Sequence, residues 1–475
     1  MFGDLIKRQL VEDILSFRFL MSVVIILSTV ILFSLVFIAN YHNLLDAYSK
    51  SRISNENTLM SFCKAPSSNL DFVSLYCLMK PKPEMFISEG LEGKMPPGFL
   101  FSTRPYFIQD AKQEKEVLYT HISHRDLSSS AFSASPDMTF IVQFLLSFFA
   151  VVLTFNAVSS EKERGTLRLV YSNSLKSAYF ILAKYIAAFL ILSLPLLLGL
   201  ILGLILLFSI SASSFSSSLT LSFLLFWIIS LVYLSVFILV GLLCSTISHS
   251  SKTSLVLCLL SWIFLVVIIP KSTGALLSLK EFDVPTEEEI HELANSAEKA
   301  TMGIFNKQLS GNYMRGLDED HKREAKLRAN YEIDKSRQDV FDYYLRKKLS
   351  AIKTVRAINS VLPASAFEFS ASCISGTGLF HFENLWIQTK RYGNDFISFL
   401  KDNASILKKD AYFYPDSDSV SNKPIDANAI PRFEDKNIKP GEKIRGALPY
   451  IAILIMCNLL LFILVFYRFQ RYDIR

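Results

Sequence analysis

Ionisable side chains are almost absent from the longest apolar runs of this sequence. The chain of 475 residues is 51% hydrophobic and only 19% charged, and it contains 39 phenylalanines. Crossing a bilayer core of about 30 Å takes about 20 helical residues. The runs that come near or exceed this length are 19–39, 140–158, 185–210, 219–247, 255–269 and 449–467. Carriers and pumps driven by ions need acids or histidines inside the membrane, so this lack argues against ion-driven transport.

Several enzyme motifs are also missing. No G-x-x-x-x-G-K-[ST] loop occurs, because the nearest cluster, PGEKIRG at 440–446, lacks the spacing and the hydroxyl. HELAN at 291–295 begins like the zinc motif H-E-x-x-H but ends in Asn295, and no G-x-S-x-G occurs. His121 and His124, in HISHR, are the one loop pair at a ligand-like spacing, and an unliganded pair is the expectation. We therefore predict no catalytic residue, no metal site and no cofactor bound by the chain itself.

Lysine and arginine are concentrated in alternate connecting segments. They precede the first apolar run, follow the second, lie between the fourth and fifth, and end the chain. With six spans these segments share one face, which the positive-inside rule places in the cytoplasm. We therefore predict an α-helical integral membrane protein with six transmembrane helices, both termini cytoplasmic, and two large extracytoplasmic segments, 40–139 and 271–448. A net charge of +6 then needs no nucleic-acid partner.

The six cysteines avoid the predicted cytoplasmic loops. Cys244, Cys258 and Cys457 fall inside spans, where a thiol usually serves as a small apolar filler. Cys63 and Cys77 both fall in the first outer segment and can form a disulfide in an oxidising compartment. Their spacing does not show whether the side chains meet, so bonded and free states both stay open.

The two outer segments differ in character. Proline, serine and glycine punctuate the first, in which GFLFSTRPYFI (98–108) reads as a strand. The second is mostly helical, with a capping box at Thr286 and Glu289 and a charged helix over 317–358. The apolar stretch 361–386 fits either a helix on the outer membrane surface or the core of the outer domain. Residues 412–439 are typical of an extended linker back to the last span.

A charged stretch, SSEKERGTLRLVYSNSLKS at 159–177, separates the second and third spans. The residues from Glu163 to Leu167, E-R-G-T-L, with Lys184 further on, resemble the corresponding segment of ABC transporter type-2 permeases. The start of the chain, 1–18, is similar to the family's amphipathic elbow helix, with Gln9 where Glu is common. The two long outer segments resemble those of the subfamily often labelled multi-copper enzyme maturation permeases.

The resemblance implies that 159–184 forms a cytoplasmic coupling helix region, and 468–475 a cytoplasmic tail. A separate ABC ATPase subunit, carrying ATP and Mg, would dock there on Glu161, Glu163, Arg164, Gly165, Thr166 and Leu167. In particular, Glu163 and Arg164 would contact the ATPase, and Gly165 with Thr166 would fix a bend. Six spans make half a transporter in this family, so a second permease copy or a paralogue is implied. The expected location is the bacterial cytoplasmic (inner) membrane.

Other functional classes stay open on the sequence. The chain can be a membrane-anchored scaffold whose outer domains bind a partner protein, and 159–177 is then a solvated connector. A membrane enzyme with an outer active site is the weakest alternative, because no nucleophile, base and orienting group occur together. If the chain is a permease, its spans favour a lipid-like cargo or force transmission to the outer domains with no cargo crossing.

Overall fold

The computed structural model describes residues 2–66, 73–90, 98–102, 137–166, 177–210, 217–270, 287–309, 318–403 and 423–471. Within these ranges, six helices are long and apolar enough to cross a membrane. The predicted α-helical membrane architecture is therefore confirmed.

Along the described residues, seven helices come first, and all of them except the first lie in the first five candidate spans. They are α1 (Phe2–Ile14), α2 (Phe17–Lys64), α3 (138–154, with a π-helical turn at Ile141–Leu146), α4 (Ser159–Glu163), α5 (Ser177–Ile210), α6 (Ser217–Ile247) and α7 (Ser251–Trp262, continued by a π-helical turn at Ile263–Ile268). The remaining helices are α8 (Glu287–Leu309), α9 (Glu319–Asn359), α10 (Pro363–Ser375), α11 (Leu379–Asn403) and α12 (Pro440–Gln470).

Helix α2 continues well past the predicted end of the first span at residue 39. Ser16 caps its start, because the Ser16 hydroxyl accepts the backbone N–H of Phe19 at 3.2 Å. No glycine or proline follows until Pro66, so nothing in the backbone ends the helix where the apolar run ends. Its last turns are held by burial of Leu59 and Phe62 in a second core beyond the bundle, which we call the outer domain after its predicted side. One helix of 48 residues therefore joins the membrane bundle to the outer domain.

Helix α10 shows that the first part of the apolar stretch 361–386 fits neither reading, whereas the last part, at the start of α11, does lie in the core of the outer domain, where Leu379 and Phe382 are buried. Helix α10 packs against α6 and α12 and belongs to the same apolar core as the spans. The ring of Phe367 stacks on that of Tyr233 with centroids 4.4 Å apart, and the hydroxyl of Ser222 donates to the carbonyl of Ile374. Pro363 opens the helix, and Gly376, with φ of 75°, ends it. The part of the stretch in α10 is apolar because it is covered by spans.

The outer domain is built on a small antiparallel sheet and a helical layer. Strand β1 (Ser74–Leu78) pairs with β2 (Gly98–Ser102) so that Cys77 faces Phe99. The first five residues of the strand predicted over 98–108 are therefore confirmed, and 103–108 lie outside the described residues. Helices α8 and α9 form a hairpin, and α9 packs on α11 through the ion pair of Lys353 with Glu383. The charged helix predicted over 317–358 is therefore confirmed, whereas Thr286 of the predicted capping box lies outside the described residues.

An extended segment, 423–439, crosses the outer domain before entering α12, and we call it the strap. The guanidinium of Arg432 forms two hydrogen bonds with Glu56 of α2, at 2.6 and 2.9 Å. The hydroxyl of Tyr392 on α11 donates to the carbonyl of Pro431 at 3.0 Å. The strap therefore ties α2 and α11 to the start of the last span.

Cys63 and Cys77 are both buried in the apolar core shared by α2, β1 and α11, and both are free thiols. The disulfide that the sequence left open is therefore not formed in this structure. Burial raises the pKa of the Cys77 thiol to about 12, which leaves it protonated and unreactive at neutral pH.

Candidate functional site

The segments predicted to be cytoplasmic meet at one end of the bundle. Helix α1 packs against α5, and the ring of Phe180 on α5 stacks on that of Phe469 at the end of α12, with centroids 5.9 Å apart. Residues 159–166, here called the coupling segment, lie at the same end, beside the turn between α6 and α7.

Buried serines fix the base of the coupling segment. The hydroxyl of Ser245 on α6 accepts the backbone N–H groups of Val158 and Ser159 at 2.9 and 3.0 Å. From α7, the hydroxyl of Ser254 donates to the carbonyl of Phe155 at 2.5 Å. These contacts satisfy backbone groups left over where α3 ends and α4 begins. The coupling segment is thus attached to both the fourth and the fifth span.

Lys162 reaches the end of α6. Its ammonium group donates to the carbonyl of Thr246 at 2.5 Å and lies 3.3 Å from that of Ser248. Carbonyls at the end of a helix lack intrahelical partners and carry partial negative charge, so a cation is favourable there.

Glu163 reaches the start of α7. One carboxylate oxygen accepts the backbone N–H of Ser251 at 3.2 Å and its hydroxyl at 2.8 Å. The start of α7 is also capped by Ser250, whose hydroxyl accepts the backbone N–H of Thr253. An anion is favourable at this end of a helix. Two consecutive residues of opposite charge therefore bridge the end of one span and the start of the next.

Glu161 connects the coupling segment to α5 and α1. Its carboxylate accepts the hydroxyl of Thr166 and lies 3.9 Å from the ammonium group of Lys184. Lys184 is largely buried and also donates to the side-chain oxygen of Gln9 at 2.6 Å, while the Gln9 amide donates to Asp13 at 2.7 Å. Gln9, where Glu is common in the resembled family, thus joins this network through hydrogen bonds.

The end of α4 exposes a short surface. Arg164 and Gly165 are exposed, and Gly165 has φ of 70°, a conformation that favours glycine. No atom lies within 4 Å of the position that a Cβ would take there, so the conformation alone calls for glycine. Leu167 lies outside the described residues.

The structure thus joins Glu161 directly to Thr166, attaches Glu163 separately to Ser251 of α7, and leaves Arg164 exposed. Sequence reasoning missed Lys162 and Ser251, although adjacent charges of opposite sign at 162 and 163, with a short turn at 248–250 following α6, are a signal in retrospect. Within the described ranges, no three His, Cys, Asp or Glu side chains come close enough to hold a metal ion. His121 and His124 lie outside those ranges.

The arrangement is that of a multi-pass membrane protein with a charged segment anchored between spans. The profile of the family described as ABC-2 family transporter protein matches residues 8–375, and the chain belongs to this family. The family supplies the membrane component of ABC transporters and implies an ABC ATPase as partner. A search of curated proteins finds no match.

Proposed function

We propose that this chain is the permease subunit of an ABC transporter that couples ATP hydrolysis by a separate subunit to export or to mechanical work on the outer face. ATP and Mg are held by the ATPase subunit. The coupling segment and both termini face the cytoplasm, in the inner membrane of a bacterium. The subfamily with large outer segments stays a prediction.

The double bridge made by Lys162 and Glu163 carries this proposal. A force applied to the coupling segment reaches α6 through Lys162 and α7 through Glu163, and it reaches α5 through the pair of Glu161 with Lys184. A solvated connector has no need of three such attachments. Arg164 and Gly165 are exposed and form the surface that contacts the ATPase, together with Leu167, which follows them in the chain.

Assembly with a second permease copy or a paralogue follows from the six spans, since ABC transporters pair two such halves with two ATPases. Closed two-fold symmetry is the commonest arrangement of paired subunits. The proposal therefore includes a dimer of permease chains.

Mechanical work on the outer face is supported by α2 and the strap. The helix that contains the first span is continuous with the outer core, where Phe62 is fully buried. The strap joins the last span to the same core through Arg432 and Glu56. Movement of either span is therefore passed to the outer domain.

A membrane-anchored scaffold is the second candidate function. Helix α8 exposes two large apolar side chains, Leu293 at 47% and Ile304 at 59%. Exposed apolar side chains on the hairpin of α8 and α9 are where an extracytoplasmic partner protein would bind.

The test is purification of the tagged chain from its native membrane in mild detergent, with mass spectrometry of co-eluting proteins and an assay of ATP hydrolysis. We expect an ATPase with phosphate-binding loops in stoichiometric amount. Arg164→Ala should reduce its recovery, while Arg471→Ala, which removes an exposed cation at the end of α12, should not. Glu163→Ala should retain the ATPase but lose stimulation of hydrolysis. Recovery of outer-face proteins alone would support the scaffold instead.

A further inference from the structure

Three ionisable side chains meet in the interior of the outer domain, away from the coupling segment. The ammonium group of Lys82 lies 3.3 Å from Nε2 of His381 and 3.8 Å from Oδ2 of Asp435. His381 Nε2 lies 3.5 Å from the same Asp435 oxygen. Their side chains are 9%, 1% and 0% exposed, respectively. We call this group the outer ion cluster.

Each member comes from a different part of the chain. Lys82 precedes a short 3-10 helix, Pro83–Phe86, His381 lies in the first turn of α11, and Asp435 lies in the strap. The cluster therefore holds together the segment 80–86, helix α11 and the strap. Buried charges are costly, so a cluster of this kind is weak evidence for stability alone, and registry and switching are the better-attested uses.

Nε2 of His381 faces both Lys82 and Asp435, and its protonation decides which of the two it can bind. When the imidazole is neutral with its lone pair on Nε2, the Lys82 ammonium donates to that nitrogen, and the charges of Lys82 and Asp435 cancel. When the imidazole is protonated, Nε2–H donates to Asp435 instead and repels Lys82 at the same distance. Imidazole is the side chain that ordinarily changes charge between pH 5 and 8.

Asp435 keeps its charge through this range. Burial acts to raise the pKa of Asp435, but the neighbouring His381 and Lys82 side chains outweigh burial and lower it. The backbone N–H of Lys80 also donates to Oδ2, at 3.2 Å. The carboxylate is therefore available to whichever cation is closer.

Two atoms of the outer ion cluster lack a hydrogen-bonding partner within the described ranges. They are Nδ1 of His381 and Oδ1 of Asp435, and both are buried. An incompletely satisfied buried network is less firmly held than a satisfied one. The cluster thus has room to exchange partners.

The surrounding charges complete the electrostatic setting. Segment 80–86 also contributes Glu84, whose carboxylate lies 3.7 Å from the ammonium group of Lys443 on α12. That second pair is neutral overall and buried. The hydroxyl of Tyr48 on α2 interacts electrostatically with Asp435, Glu434 and Arg52. Glu383 of α11 forms an ion pair with Lys353. Protonation of His381 therefore adds an uncompensated positive charge next to Lys82.

We propose that the outer ion cluster is a proton-controlled latch, in which protonation of His381 transfers Asp435 from Lys82 to the imidazolium and releases segment 80–86 from α11 and the strap. The latch does not depend on the proposed coupling to an ATPase. Release reaches the bundle, because Phe86 at the end of this segment packs on Phe37 of α2 and Phe223 of α6. Acid on the outer face thus loosens the contact between the outer domain and the outer ends of two spans.

The experiment is hydrogen–deuterium exchange with mass spectrometry on the full chain in detergent, at about pH 5.5 and about pH 7.5, on either side of the imidazole range. Exchange times are scaled to the intrinsic rate at each pH. The peptide that covers 80–87 is followed in the wild type, His381→Gln and the control His321→Gln, which alters an exposed histidine on α9.

We expect the protection of this peptide to fall by about tenfold at the lower pH in the wild type and in His321→Gln. In His381→Gln the protection should not change with pH. Lys82→Gln should give low protection at both pH values, which keeps the test decisive if His381→Gln does not fold. Equal protection of the wild type at both pH values, or the same pH dependence in His381→Gln, would overturn the proposal.

Discussion

One carboxylate oxygen of Glu163, just after the second span, accepts both the backbone N–H and the hydroxyl of Ser251 at the start of the fifth span. Because the two residues act as a unit, Glu163→Gln and Ser251→Ala should each reduce the stimulation of ATP hydrolysis in the reconstituted complex, and the double variant should be no worse than either alone. The measurement is a double-mutant cycle on the stimulated rate. Additive losses would mean that Glu163 acts on the ATPase directly and not through α7.

Lys184 should matter for stability far more than Lys252, although both lysines are predicted to be cytoplasmic. The Lys184 side chain is 13% exposed and contacts Glu161 and Gln9, whereas Lys252 is exposed. Lys184→Met leaves two partly buried acceptors without their donor, and we expect a loss of about 1–3 kcal/mol. Thermal unfolding in detergent measures it, with Lys252→Met as the matched control. An equal shift in both variants would contradict the network.

Gly241 should tolerate no side chain. A Cβ at this position of α6 would lie 1.9 Å from the hydroxyl oxygen of Thr154 on α3, which is itself buried and bonded to the carbonyl of Ala150. We expect Gly241→Ala to destabilise the protein by about 1–3 kcal/mol through overpacking. Gly441→Ala, which meets open space, is the control. Thr154→Ala should restore much of the loss in the same unfolding assay, and failure to do so would contradict the tight contact.

Asp137 gives a pH dependence with a definite sign. Its two oxygens accept the backbone N–H groups of Phe140 and Glu89, and complete burial raises the pKa of this carboxyl from 3.8 to about 7. Folding therefore favours the protonated form of Asp137. Below the ordinary pKa of 3.8 the carboxyl is protonated in both states and does not affect stability. As pH rises from there to the folded-state pKa of about 7, Asp137 lowers the free energy of unfolding progressively.

The comparison with Asp137→Asn reveals this cost. The difference in unfolding temperature, wild type minus variant, should fall as pH rises from about 4 to about 7 and then level off. Asp46→Asn, at an exposed position of α2, should show no such trend. A difference that rises with pH would show that Asp137 is stabilised as an anion.

The spans were predictable because long apolar runs without charge have few alternatives to membrane helices. The ends of the helices were harder to predict. Helix α2 continues past residue 39 because no glycine or proline interrupts it, whereas hydropathy marks only the part that lies in the membrane. The position of α10 was beyond reach, since an apolar stretch does not identify what covers it. The rings of Phe367 and Tyr233 come together only when the whole bundle is folded.

In the candidate site, too, local features were predictable from the sequence and contacts between distant segments were not. Gly165 and Thr166 stand just after α4, where the resemblance implies a bend, yet nothing in the sequence connects Glu163 with Ser251. The partners of Lys82 were equally hidden, because His381 is 299 residues away along the chain and Asp435 is further still. Contacts at such separations depend on the arrangement of whole helices.

Helix α2 makes the outer domain sensitive to small rotations inside the membrane. At about 1.5 Å per residue, its 48 residues extend for about 72 Å. A tilt of about 5° around its first turn would carry its far end through about 6 Å, which is more than one full turn of helix in length. A small tilt of α2 near its start therefore becomes a large displacement in the outer domain. A movement too small to open a path between the spans is large where Glu56 contacts the strap.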